Sequence, residues 1–141
     1  MCPQDELLDA IAKKASYNEI YDIVQKLDSI NYGDNWVNNP LLLLMMSNYV
    51  LHPEMDKILQ LFINKGVDLN KITSPNFTAL YIICDNLNPI ISKCFKIMLK
   101  NGANPDINRN DTIKFSCPEI KEILELHDKG ELFYDDIVVT I

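Results

Sequence analysis

Hydrophobic residues recur three and four positions apart in four stretches of the chain. The clearest is 52–66, where Met55, Ile58, Leu59 and Phe62 fall on one helical face. Residues 88–102 superpose on it at an offset of 36, Pro53 on Pro89 and Gly66 on Gly102. The apolar positions follow: Met55 on Ile91, Ile58 on Cys94, Leu59 on Phe95, Phe62 on Met98. A third copy, 117–130, is one residue shorter between Pro118 and Gly130, and a fainter one lies at 18–27. Each predicts a helix. Pro53, Pro89 and Pro118 suit a first turn, where the missing N–H has no partner to lose. Gly66, Gly102 and Gly130 suit the left-handed position that ends a helix.

The stretches between these helices repeat as well. Asn31 precedes Leu41 by ten residues, and Asn70 precedes Leu80 by ten. Short helices are predicted at 40–49 and 79–85, after Asn39 and Thr78 respectively. At the N-terminal end, 5–14 and 17–27 read as a helix pair with charge on one face. At the other end, 111–115 is too short for a full first helix. The last helix there is charged through Glu119, Lys121, Glu122, Glu125 and Asp128. An array of helix pairs buries its apolar stripes by stacking, so polar terminal pairs are expected.

Two stretches carry a family resemblance. Gly66-Val67-Asp68-Leu69-Asn70 followed by Thr78-Ala79-Leu80-Tyr81 resembles the ankyrin pattern, as does Gly102-Ala103-Asn104-Pro105-Asp106. Asn39-Pro40-Leu41-Leu42 is a weaker form of its Thr-Pro-Leu-His tetrad. The resemblance covers roughly residues 5–130 and is strongest over 40–107. It implies an all-α ankyrin-repeat solenoid of about four stacked helix-pair units with hairpin-like loops, near 5–31, 32–68, 69–104 and 105–130. It implies no catalytic site; no cofactor is expected, and with Cys84 and Cys94 ten apart and no CxxC or HxxxH spacing no metal site is expected either. Tyr81 and Leu42 stand where the family usually has His, so its tetrad hydrogen bonds are expected to be partly absent. Long inter-helix loops and eroded tetrads are similar to poxviral ankyrin proteins and to ankyrin-bearing bacterial effectors. That similarity implies a host-protein partner in signalling or antiviral response, met in host cytoplasm.

Charge narrows the partner. The 141 residues carry 13 basic and 20 acidic side chains, a net charge of −7. Nucleic-acid binding needs cations to displace counterions, so it is not expected. An anionic membrane surface would repel the chain. The acidic start of the chain does not read as a signal peptide, and no apolar run approaches membrane-spanning length. Cys2, Cys84, Cys94 and Cys117 match no disulfide framework and read as reduced cytosolic thiols. Cys94 occupies an apolar repeat position and is expected in the core. A monomer is favoured.

Candidate chemistry is sparse. The two histidines are His52 and His127. A small hydrolase using Cys117 and His127 is the alternative function; the simpler account is a loop thiol and a helix-surface imidazole. Binding is better supported. Successive loop tips at 32–38, 71–77 and 107–111 should form a row beside the first helices. Tyr32, Trp36, Lys71, Ile72, Phe77 and Arg109 are the candidate partner-binding residues on it, aromatics being preferred anchors. The alternative is that Trp36 and Phe77 pack one loop on the next. The tail 131–141 is acidic and then β-branched. It is expected to cap the last helix pair, the other reading being a free peptide that adds as a strand through Val139 and Ile141.

Overall fold

The computed structural model describes residues 2–46, 52–73 and 78–132. Among these the chain is all-α, with eight helices and no β-sheet. They are α1 (Pro3–Ala12), α2 (Tyr17–Gln25), α3 (Pro40–Met46), α4 (Met55–Asn64), α5 (Ala79–Ile83), α6 (Pro89–Lys100), α7 (Arg109–Phe115) and α8 (Pro118–Asp128). The loops between them contribute single bridging residues, Asn35 and Thr73. Phe77 and residues 133–141, and with them the tail expectation, lie outside the described residues.

The odd helices pack in series, α1 on α3, α3 on α5 and α5 on α7. The even helices do the same, α2 on α4, α4 on α6 and α6 on α8. Sequence neighbours α1 and α2, α3 and α4, and α5 and α6 also touch. One apolar core joins them: Leu7, Ile20, Leu42, Ile58, Phe62, Ile83, Phe95 and Ile120 are buried in it. Met55, Ile58, Leu59 and Phe62 all face this core, as their spacing predicts, and so do Ile91, Cys94, Phe95 and Met98.

The helix ends follow from local chemistry. Gly66, Gly102 and Gly130 all have positive φ. The residue after each donates back to the helix: Val67 to Phe62, Ala103 to Met98, Glu131 to Leu126. In α1 the left-handed position is taken by Lys14, φ 55°, and Ala15 N–H closes on the Ala10 carbonyl. Thr78 Oγ1 accepts from Tyr81 N–H at 3.3 Å, and Asn39 Oδ1 accepts from Leu42 N–H at 3.1 Å. Both short helices are thus capped at their N-termini, α5 by a threonine and α3 by an asparagine.

α1 runs Pro3–Ala12 rather than 5–14 and α2 stops at Gln25 rather than 27; three further boundaries differ from expectation. Pro89 and Pro118 open their helices, but Pro53 precedes α4, which starts at Met55. His52 takes over the turn there: its Nδ1 accepts from Glu54 N–H at 2.9 Å, and its carbonyl accepts from Met55 N–H at 3.1 Å. The helix expected at 79–85 stops at Ile83, where Cys84 forms the cap and Asn86 N–H turns back to the Ile83 carbonyl. Finally, α7 starts at Arg109 and matches α3 in length. Asn108, φ 57°, makes the turn into it, and its carbonyl accepts from Thr112 N–H. Arg109 is therefore a helix residue rather than a loop tip.

Candidate functional site

The loops carrying most of the candidate residues are held by one recurring turn. Asn31 N–H bonds Ser29 Oγ, Asn70 N–H bonds Asp68 Oδ1, and Asp106 N–H bonds Asn104 Oδ1, at 3.1, 2.9 and 2.9 Å. In the first two turns the asparagine side chain then reaches forward. Asn31 Nδ2 donates to the Gly66 carbonyl at 2.9 Å, and its Oδ1 accepts from Asp68 N–H at 2.7 Å. Asn70 does the same to the Gly102 carbonyl at 3.1 Å and from Asn104 N–H at 2.6 Å. An amide side chain can do this because it is donor and acceptor at once. Asp106 holds the equivalent place in the third turn and has no such donor. It accepts from Arg109 Nη1 at 2.7 Å, while Arg109 Nη2 reaches Asp128 on α8. An ion-pair chain replaces the amide clip.

This arrangement decides what the predicted residues can do. Tyr32 is half-buried against the core and donates its hydroxyl to the Gln4 carbonyl of α1 at 3.1 Å. Burial raises its phenol well above the ordinary range. Trp36 is also half-buried against the core, within a turn whose N–H groups from Val37 and Asn38 both bond Asn35 Oδ1. Lys71 faces Asp34 of the preceding loop at 3.8 Å. Arg109 is held by two carboxylates, Asp128 first, which raise its pKa further. Four of the six candidates thus have internal partners. Ile72 is 47% exposed and free to meet a ligand, and Val37, at 56%, was missed in the sequence. No sequence pattern separates Val37 from Trp36; only the fold of the 33–39 turn does.

A second apolar surface lies across the odd helices. Met46 of α3, Tyr81 and Ile82 of α5, Cys84, Asp85 and Phe115 of α7 line a groove of about 230 Å³. The Tyr81 and Phe115 rings meet edge to face, centroids 6.3 Å apart. Lys114 Nζ stands 5.3 Å over the Phe115 ring. The signal for this groove was present in the sequence: 40–46 and 79–83 contain no charged residue.

The alternative catalytic pair does not form. Cys117 caps the N-terminus of α8 and His127 sits in its last turn. Ten residues of helix put them about 15 Å apart. The Cys117 thiol instead donates to the Asn86 carbonyl at 3.9 Å. His52 is buried with both ring nitrogens used. Since Nδ1 accepts from Glu54 N–H, Nε2 carries the proton and donates it to the Ala15 carbonyl at 2.7 Å. Burial pushes the Cys84 thiol up to about 11 and the Cys94 thiol up to about 12. Both are thereby poor nucleophiles near neutral pH. Among the described residues no group of three or more His, Cys, Asp or Glu side chains is placed to hold a metal ion. Among them, too, no helix is long and apolar enough to cross a membrane. No family model, curated protein or solved structure matches the chain.

Proposed function

We propose that the chain is a non-enzymatic protein-interaction module of the ankyrin-repeat type. Two features support that fold reading. The odd and even helices each pack in series. The asparagine clip also recurs, Asn31 to Gly66 and Asn70 to Gly102, with partners 36 residues apart in both its donor and acceptor arms. A bond made twice between equivalent atoms is what near-identical stacked units produce.

The observation that carries the functional reading is the groove over α3, α5 and α7. Residues from three odd helices and their connecting turn converge there, nearly all apolar, with Phe115 49% exposed. An apolar recess of this kind can seat an apolar side chain of a partner, and side chains anchored in pockets dominate binding energy. The partner is a protein that inserts apolar side chains between Met46, Ile82 and Phe115, with Ile72 and Val37 as further contacts from the loops. The resemblance to pathogen ankyrin proteins makes that partner a host factor of signalling or antiviral response.

The test is capture from a host cytosolic extract with three forms of the protein. Phe115→Ala with Ile72→Ala should reduce recovery of a defined partner at least tenfold while melting stays near the wild-type value. Tyr21→Ala, on α2, should leave recovery unchanged. Equal loss with Tyr21→Ala, or full recovery with the double variant, would refute the assignment of the surface.

A further inference from the structure

Two of the four cysteines are brought together from distant parts of the chain. Cys84 ends α5 and Cys117 begins α8. The Cys117 N–H donates to the Cys84 carbonyl at 2.9 Å. With an N–Cα bond of about 1.5 Å on one side and a Cα-to-oxygen distance of about 2.4 Å on the other, such a bond keeps the two Cα atoms within about 6.8 Å. Disulfides span roughly 4.4–6.8 Å between Cα atoms. The Cys117 sulfur is also turned toward this segment, donating to the carbonyl of Asn86, two residues beyond Cys84. The other two thiols have no such neighbour: Cys2 bonds Asp5 at the exposed start of α1, and Cys94 is buried within α6.

We propose that Cys84 and Cys117 are an oxidisable pair that closes into an intramolecular disulfide, tying the end of α5 to the start of α8. Exposure sets the order of events. Cys117 is half-buried and Cys84 is buried, so a small disulfide oxidant such as oxidised glutathione meets Cys117 first. The Cys117 thiolate attacks one glutathione sulfur, forming a mixed disulfide and releasing one glutathione thiolate. The Cys84 thiolate then attacks the Cys117 sulfur, forming the protein disulfide and releasing the second. Two protein thiols lose two electrons and two protons; one oxidised glutathione becomes two reduced molecules. The second step is slow at neutral pH. Burial holds the Cys84 thiol up at about 11, so about one molecule in 10⁴ carries its thiolate at pH 7. Closure should quicken about tenfold per pH unit up to that value. Cys84 also lines the apolar groove, so closure would fix one of its walls. That consequence rests on the interaction reading, whereas the bond itself does not.

The experiment is chemical and needs no partner. The full chain carrying Cys2→Ser, which removes the exposed thiol, is incubated with oxidised glutathione at pH 7, 8 and 9. Samples are quenched with N-ethylmaleimide, digested and mapped by mass spectrometry. The expected product is a peptide pair joined through Cys84 and Cys117, with Cys94 still alkylatable after unfolding. Loss of the Cys117–glutathione adduct should accelerate about tenfold per pH unit. In Cys117→Ser, Cys84 should stay reduced over the same period. Stable glutathione on Cys117 at pH 9 with no joined peptide, or Cys84 oxidised at the wild-type rate in Cys117→Ser, would overturn the proposal.

Discussion

Replacing Asn70 with Ala removes both arms of one clip without touching the core. The lost bonds are the 3.1 Å donation to the Gly102 carbonyl and the 2.6 Å acceptance from Asn104 N–H. Each neutral hydrogen bond contributes about 0.5–1.5 kcal/mol net, because water replaces it in the unfolded chain. Asn70 is half-buried, so water reaches the released groups incompletely and the two bonds together are worth about 1–3 kcal/mol. At this chain length that lowers Tm by roughly 3–9 °C. Asn70→Asp separates the arms. Its carboxylate still accepts from Asn104 N–H but brings no hydrogen to the Gly102 carbonyl, so the loss should persist at neutral pH. Protonation below about pH 4 restores a donor, and the gap to wild type should narrow there. Asn18→Ala, at an exposed site on α2, is the control for generic Asn removal and should shift stability by less than about 0.5 kcal/mol. Urea unfolding followed by circular dichroism gives all four values. If Asn70→Ala unfolds at the wild-type midpoint, the clip merely substitutes for water and does not hold the turns together.

Gly33→Ala and Gly66→Ala test backbone constraint in opposite surroundings. Both residues have positive φ, but a Cβ at Gly33 would lie 2.0 Å from the Asn38 carbonyl oxygen, while one at Gly66 meets nothing within 4 Å. Gly66→Ala should cost about 1–2 kcal/mol from left-handed strain alone, and Gly33→Ala at least about 2 kcal/mol more; equal losses in urea titration would show that the 33–39 turn yields freely. His52→Ala should cost about 2–3 kcal/mol, because it leaves the Ala15 carbonyl and the Glu54 N–H without the imidazole in a buried loop; an unchanged midpoint would refute that. Alkaline stability should track the buried thiols. Cys94 titrates near 9 in the unfolded chain and near 12 when folded, so from pH 9 upward only the unfolded state releases the proton. Stability therefore falls with rising pH by about 1.4 kcal/mol per unit through this group. Cys94→Ala under reducing conditions should flatten the slope between pH 9 and 11 by that amount, and an identical slope in both proteins would contradict it.

Much of the fold was legible because helix formation here is written in spacing. The 3.6-residue period placed α4, α6 and α8, and the glycines marked where each ends. Asn31 and Asn70 stood out by their common distance to Leu41 and Leu80, although spacing could not reveal that they bond the next turn. What the sequence concealed was side-chain accounting. Arg109 looked available because its partners, Asp106 and Asp128, come together only when α7 lies near the end of α8. Tyr32 looked like an anchor, yet its hydroxyl is taken by a carbonyl 28 residues earlier. Pro53 misled for a local reason: the imidazole of His52 supplies the turn contact that a helical first turn would otherwise need.

The apolar groove, in contrast, is not something packing requires. α3 has seven residues and α5 has five, too short to persist outside the fold, so their buried positions must be apolar. Pro40, Leu41, Leu42, Leu44 and Met45 meet that need in α3, and Ala79, Leu80 and Ile83 meet it in α5. Leu43, Met46 and Ile82 are only half-buried; Leu43 and Ile82 pack part of their surface on the core and leave the rest outward. The same row shows this directly. α1 carries Asp5 and Asp9 at exposed positions, and α7 carries Asn110 and Asp111. Only the two middle helices stay apolar outward as well as inward, with Phe115 extending the surface to α7. In an acidic chain of net charge −7, this strip carries charge only at its margins, through Asp85 and the Lys114 ammonium over Phe115. On the proposed interaction reading a binding partner would cover that surface, and this is the physical reason for centring the proposed site on the odd helices, with the loop tips as secondary contacts.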